Sequence, residues 1–179
     1  MILLDATTLL LLIEPTAKPP KDPSTGRQLD KCRERIEYLL QTLSDPAVQI
    51  ILPTPVLAEV LVRAGTARNQ YLTELTTNYV FKPASFDERA AVELSVILDG
   101  DAKSKKKLSD KQTWAKLKFD RQIIAIAKVH RVTTIYSDDA DLAKCARDNN
   151  LTVIHTWQLP LPPVAAQQEL ELTPPSDKS

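Results

Sequence analysis

Five short runs along the chain read as strands, at residues 2–4, 48–52, 79–81, 133–136 and 151–154, and helical patterns fill the stretches between them. This alternation constrains the fold most, because parallel neighbours need a crossover long enough to hold a helix. The first run, Ile2-Leu3-Leu4, is continuously apolar, as expected of a strand covered on both faces. Right-handed crossovers place helices on both sides of such a sheet. The result is an α/β fold with a mainly parallel sheet. In sheets of this kind, ligands gather outside the carboxyl ends of the strands.

The helical segments carry their own punctuation. Residues 7–13 begin a helix, and residues 18–28, with Pro19, Pro20, Pro23 and Gly26, form a polar loop or insertion. Residues 30–43 are amphipathic, with Ile36, Leu39, Leu40 and Leu43 on one face. Thr54 is the expected N-cap of a helix with Pro55 at its first position, running to about Ala64, where Gly65 stops it. A further helix covers 66–77. Ser85 and Glu88 form a capping box for a helix over 85–98. Helices are also expected over 114–130 and, capped by Ser137, over 138–149. The segment from Gly100 to about residue 112 is polar and holds Lys103, Lys105, Lys106 and Lys107, which predicts a second insertion. From Pro160 onward Pro, Gln, Glu and Ser dominate. The expected organisation is one domain over 1–156 and a disordered, Pro-rich tail over 157–179.

The 23 basic and 23 acidic residues cancel, so any polyanion has to be held by a local patch or through a metal. Cys32 and Cys145 have no metal-ligand spacing, and with no signal peptide a reduced, cytoplasmic chain is expected. The apolar start lacks a basic region, contains Asp5 and is too short to span a bilayer, so no membrane association is expected. Three glycines in the whole chain exclude a dinucleotide fingerprint, and no Gly-rich phosphate loop or G-x-S-x-G elbow is present. Asp5-Ala-Thr7 lacks the second aspartate, two residues on, that an aspartyl phosphatase uses to protonate its leaving group.

Four acids remain at informative places. Asp5 ends the first strand, where it either caps a helix or faces the ligand edge. Glu59 borders an apolar helical face and is also spaced to pair with Arg63. Asp120 shares a helical face with Leu117, Ile124 and Ala127. On that inward face it is unfavourable by several kcal/mol unless paired, protonated or metal-bound; backbone amides are the alternative partners. Asp138, Asp139 and Asp141 follow the fourth strand, and at least one should face the crevice. Carboxylates gathered together raise one another's pKa unless a cation compensates. Oxygen donors favour Mg²⁺ or Mn²⁺, and His130 and His155 have no metal-ligand spacing. A carboxylate-held ion can activate water against a phosphodiester.

In order and spacing, Ile2-Leu-Leu-Asp-Ala-Thr-Thr-Leu-Leu10, Pro55-Val-Leu-Ala-Glu-Val60, Phe119-Asp-Arg-Gln-Ile-Ile-Ala125 and Ile135-Tyr-Ser-Asp-Asp-Ala-Asp-Leu142 resemble the PIN-domain ribonuclease family, VapC-like toxin nucleases among them. The resemblance covers roughly residues 1–156. It implies a three-layer α/β/α sandwich around a central parallel sheet of about five strands, with acids at its carboxyl edge. It implies metal-binding roles for Asp5, Asp120, Asp139 and Asp141, with Glu59 acting through water. Ser137 fits the first position of the family's Thr/Ser-x-Asp-x-Asp-Phe motif, and Thr7 the small polar residue near the metal. Ala6 and Leu142 depart from the family's usual Thr and Phe.

The resulting expectation is a Mg²⁺- or Mn²⁺-dependent endoribonuclease cutting single-stranded RNA, with Asp5, Glu59, Asp120 and Asp139 catalytic. The resemblance further implies a toxin with an antitoxin partner and a homodimer. Lys103, Lys105, Lys106 and Lys107 are candidate RNA-phosphate contacts, or a solvated loop. The alternatives are a non-catalytic PIN-like module that binds RNA or protein, and a metal-dependent DNA nuclease or phosphatase.

Overall fold

A computed structural model describes residues 1–14, 16–43, 48–103 and 114–163, without the side chains of 101–103, 114 and 115. Strand β1 (Ile2–Leu4) leads into helix α1 (Ala6–Ile13), and α2 (Cys32–Leu43) precedes β2 (Ile50–Pro53). Helices α3 (Thr54–Arg63) and α4 (Arg68–Thr77), joined by a 3₁₀ turn, lead to β3 (Phe81–Ala84). Helices α5 (Glu88–Lys103) and α6 (Trp114–Val129) come before β4 (Thr134–Tyr136), α7 (Ala140–Asp148) and β5 (Thr152–Ile154). The strands form one sheet in the order β3-β2-β1-β4-β5, every pairing parallel. This is the expected α/β architecture, with the first strand at the centre.

Burial explains why these runs are strands. All four residues of β2 are buried, and successive strand residues point to opposite faces, so helices cover both sides. Leu3, Ile51 and Ile135, the central residues of β1, β2 and β4, are completely buried. At the edge, β3 buries Phe81 and Ala84 but exposes Lys82 and Pro83, which discourages a further strand from adding there. Gly65, with φ +54°, terminates the α3 region as expected, in a conformation glycine adopts without a Cβ clash. Among the described residues no helix is long and apolar enough to cross a membrane.

Several local expectations are corrected. Thr54 is the first residue of α3, not its cap; β2 runs straight into the helix through Pro53, and no side chain caps it. Ser85 follows β3 directly, leaving no room for a helix to start, and Asp87 instead accepts a hydrogen bond from the Ala90 amide at 2.9 Å. Ser137 does not cap α7, a task taken by the carboxylate of Asp139. The third strand starts at Phe81 rather than 79, because Asn78 folds a turn that leaves Tyr79 exposed. Helix α5 continues through Gly100 to Lys103 where a loop was expected; the local preference against helical glycine, about 1 kcal/mol, is overridden. Residues just past 156 also pack against the domain. Leu159 is buried and its carbonyl accepts from the Arg35 guanidinium. The stretch 104–113, the tail from 164, and with them Lys105, Lys106 and Lys107, lie outside the described residues.

Candidate active site

Because β1 is central, its exit is flanked by the exits of β2 and β4, and this is where the acids meet. Asp5 leaves β1 and caps α1: its Oδ1 accepts from the Thr8 amide at 2.7 Å. Its Oδ2 accepts from the Ser137 hydroxyl, just beyond β4, at 2.5 Å. Burial pushes the Asp5 carboxyl above its ordinary range, against the lowering effect of the hydrogen bonds from Ser137 and Thr8.

Asp120 lies on α6 with only 5% of its surface exposed, on the face shared with Leu117, Ile124 and Ala127, all buried. The helical period read from the sequence therefore holds. Its Oδ2 is buried and has no hydrogen-bond partner. Burial chiefly, and then the negative charge of Asp139, push its pKa up to about 7, although Lys116 and Arg121 pull the other way.

Asp139 caps α7, accepting from the amides of Asp141 at 2.8 Å and Leu142 at 3.0 Å. Its Oδ2 lies 3.0 Å from the Lys116 ammonium, which also stands 2.8 Å from Oδ2 of Asp141. Burial acts to raise the Asp139 carboxyl, but the Leu142 amide, the Lys116 ammonium and the Asp141 amide together hold it below its ordinary value. Asp138 turns away, and its Oδ1 accepts from the Thr156 amide at 2.7 Å.

A crevice of about 80 Å³ is lined by Asp5, Thr7, Glu59, Asp120 and Asp139, together with Arg63 and apolar neighbours. Strand exits and helices distant in sequence thus bring four predicted acids and Thr7 to one place. Glu59 also makes the foreseen ion pair with Arg63, at 2.5 Å. Asp141 is outside the lining and reaches the site through Lys116. Lys103 ends α5, and its side chain is outside the described residues.

Sequence reasoning missed two contributors. Lys116 lies four residues before Asp120, a spacing that places both on one helical face. Ser137 was given a motif position, but its bond to Asp5 joins segments 132 residues apart and has no local signal. His155, not a metal candidate, approaches the Ser137 carbonyl through Nδ1 at 2.6 Å and stacks on Trp157.

The donor set suits a hard divalent cation: it consists of carboxylates, one with a buried oxygen lacking a partner, and another two already share an ammonium. As placed, no three His, Cys, Asp or Glu side chains among the described residues form a group that could hold an ion. Both Asp5 oxygens and both Asp139 oxygens are engaged by other donors.

No family model matches the sequence, and no curated protein matches it significantly. Solved structures do match. FitAcB from Neisseria gonorrhoeae superposes with a TM-score of 0.58 at 21% identity, over 89% of this chain and 100% of that chain. The fold is PIN-like. VapBC2 from Rickettsia felis gives 0.56 at 14% identity, over 87% of this chain and 98% of that one. VapC20 from Mycobacterium tuberculosis gives 0.52 at 13%, over 80% and 94%. At these identities the shared feature is the PIN-like fold, and any activity has to be argued from the crevice.

Proposed function

We propose that this PIN-like chain is a nuclease: a Mg²⁺- or Mn²⁺-dependent endoribonuclease acting on single-stranded RNA as the toxin of a toxin–antitoxin pair. The carrying observation is Asp120, whose buried Oδ2 has no partner in a crevice shared with Asp5, Glu59 and Asp139. A group so placed opposes folding, and a cation relieves it. VapC20, one of the similar structures, is described as a sarcin-ricin loop cleaving toxin. The VapBC2 structure is bound to a DNA fragment from their promoter, which supports a toxin that works with a second protein.

Asp5, Asp120 and Asp139 would hold the ion, with Asp141 beside them; some side-chain rotation is needed to gather them. The ion, when bound, supplies an activated water and a counter-charge for the scissile phosphate. Ser137 and the Thr8 amide fix the Asp5 carboxylate in direction. Glu59, on the crevice wall, would accept a hydrogen bond from that water, and its partner Arg63, on the same wall, would offer a guanidinium to the phosphate. Thr7 offers a hydroxyl at the same wall.

The test is cleavage of single-stranded RNA with Mg²⁺ or Mn²⁺, alongside single-stranded DNA and flap substrates. EDTA, Asp5→Asn and Asp120→Asn should each reduce RNA cleavage about a hundredfold or more. Cleavage that persists in EDTA and in both variants overturns the metal mechanism, and preferential cutting of DNA overturns the substrate assignment. A non-catalytic module is the second reading, favoured by the ammonium already seated on Asp139 and Asp141. It requires that millimolar Mn²⁺ fails to bind.

A further inference from the structure

The one cation that the described residues place between the last two acids belongs to the chain itself. Lys116 lies in the first turn of α6, and its ammonium contacts Oδ2 of Asp139 at 3.0 Å and Oδ2 of Asp141 at 2.8 Å. From one turn upstream it also acts electrostatically on Asp120. One ammonium thus touches two carboxylates and, with Arg121, acts on a third, while Asp5 is satisfied by Ser137 and Thr8 and Glu59 by Arg63. Lysine suits this task better than arginine: its ammonium is a compact point charge on a flexible stem, able to swing away without dismantling a planar fork. Both ion pairs are roughly 40% exposed, with side-chain exposures of 42% for Lys116, 37% for Asp139 and 38% for Asp141. Pairs of this kind hold weakly and are exchangeable.

We propose that Lys116 is a resident counter-cation: it holds Asp139 and Asp141 in the metal-free protein and must release them before a divalent ion can use their oxygens. This inference rests on the metal-dependent reading above and adds who occupies the acids beforehand. Two consequences follow from the charge balance. Metal affinity is set by competition, so removing the ammonium tightens metal binding. Metal-free stability depends on the ammonium, so removing it leaves Asp139 and Asp141 without their shared partner and Asp120 with less compensating charge.

Mn²⁺ titration calorimetry and thermal melting of the full chain test this with wild type, Lys116→Met and Lys116→Gln. Methionine keeps an apolar stem, and glutamine provides a second neutral variant should the first fold poorly. Both neutral variants should bind Mn²⁺ about two- to fivefold more tightly, the size expected for losing a half-exposed ion pair. In EDTA they should melt below wild type, and saturating Mn²⁺ should close the gap. Equal or weaker Mn²⁺ binding by the variants, with wild type binding normally, overturns the role of Lys116 and leaves the metal reading intact. Absence of Mn²⁺ binding in wild type and variants alike overturns both.

Discussion

Asp120 sets two demands against each other within a single side chain. Its position among Leu117, Ile124 and Ala127 favours a neutral group, whereas a metal site needs the anion. With a folded pKa of about 7 against an ordinary 3.8, the sign of its pH effect follows. Below about pH 4 the carboxyl is protonated in folded and unfolded chains alike and changes nothing. Between about 4 and 7 the unfolded chain ionises first, so stability falls as pH rises; above about 7 the full penalty remains. In EDTA, Asp120→Asn should therefore melt higher than wild type at pH 8, with a difference of a few kcal/mol at most that shrinks toward pH 4. Melting curves from pH 4 to 8 check this, and a gap independent of pH would remove the titration from the explanation. Asp120 was legible in the sequence because helical period is rigid: one polar residue in a row of inward positions stands out. Glu59 was not, since its pairing with Arg63 and its place on the crevice wall look the same from spacing alone. Ser137 was the least legible, because its hydroxyl meets Asp5 only once β1 and β4 are neighbours.

The elements themselves were read more securely than their ends. Each of the five strands and the helices between them exists, since apolar runs and amphipathic periods report burial that the fold enforces. Caps were misplaced where several suitable acceptors stand within three residues of one another. At 85–88 both Ser85 and Asp87 are good caps by chemistry, and the end of β3 at Ala84 decides between them by leaving too little chain before Ser85. At 137–139 the same competition goes to Asp139 because Ser137 is committed to Asp5 and Asp138 to Thr156. The α5 cap provides a direct check by urea unfolding. Asp87→Ala should lower stability by about 0.5–2 kcal/mol and Ser85→Ala should change it by less than about 0.5 kcal/mol. The reverse ranking would return the cap to Ser85. In the α7 cap, stability and site are joined, because the carboxylate that takes the Asp141 and Leu142 amides also points its second oxygen at Lys116.

At the scale of the molecule, a chain with 23 basic and 23 acidic residues has no global attraction for RNA, so affinity must come from a few local cations. If the lysine-rich segment supplies them, replacing Lys105, Lys106 and Lys107 by glutamine should flatten the slope of log affinity against log salt by about 2, at roughly 0.7 per phosphate contact on a single strand. An unchanged slope, measured by RNA binding from low to moderate salt, would assign the segment no part in binding. The sheet order β3-β2-β1-β4-β5 has a consequence of a different kind. The central strand is synthesised well before one of its two neighbours and before the hydroxyl that steadies Asp5, which come from segments more than a hundred residues later; the Ser137–Asp5 bond spans 132. A nascent chain that has not yet delivered β4 holds Asp5 without Ser137, and the crevice without Asp139. Topology therefore acts as a safety catch: whatever chemistry the crevice performs has to wait until the segment around Ser137 and Asp139 has been made and has joined the sheet.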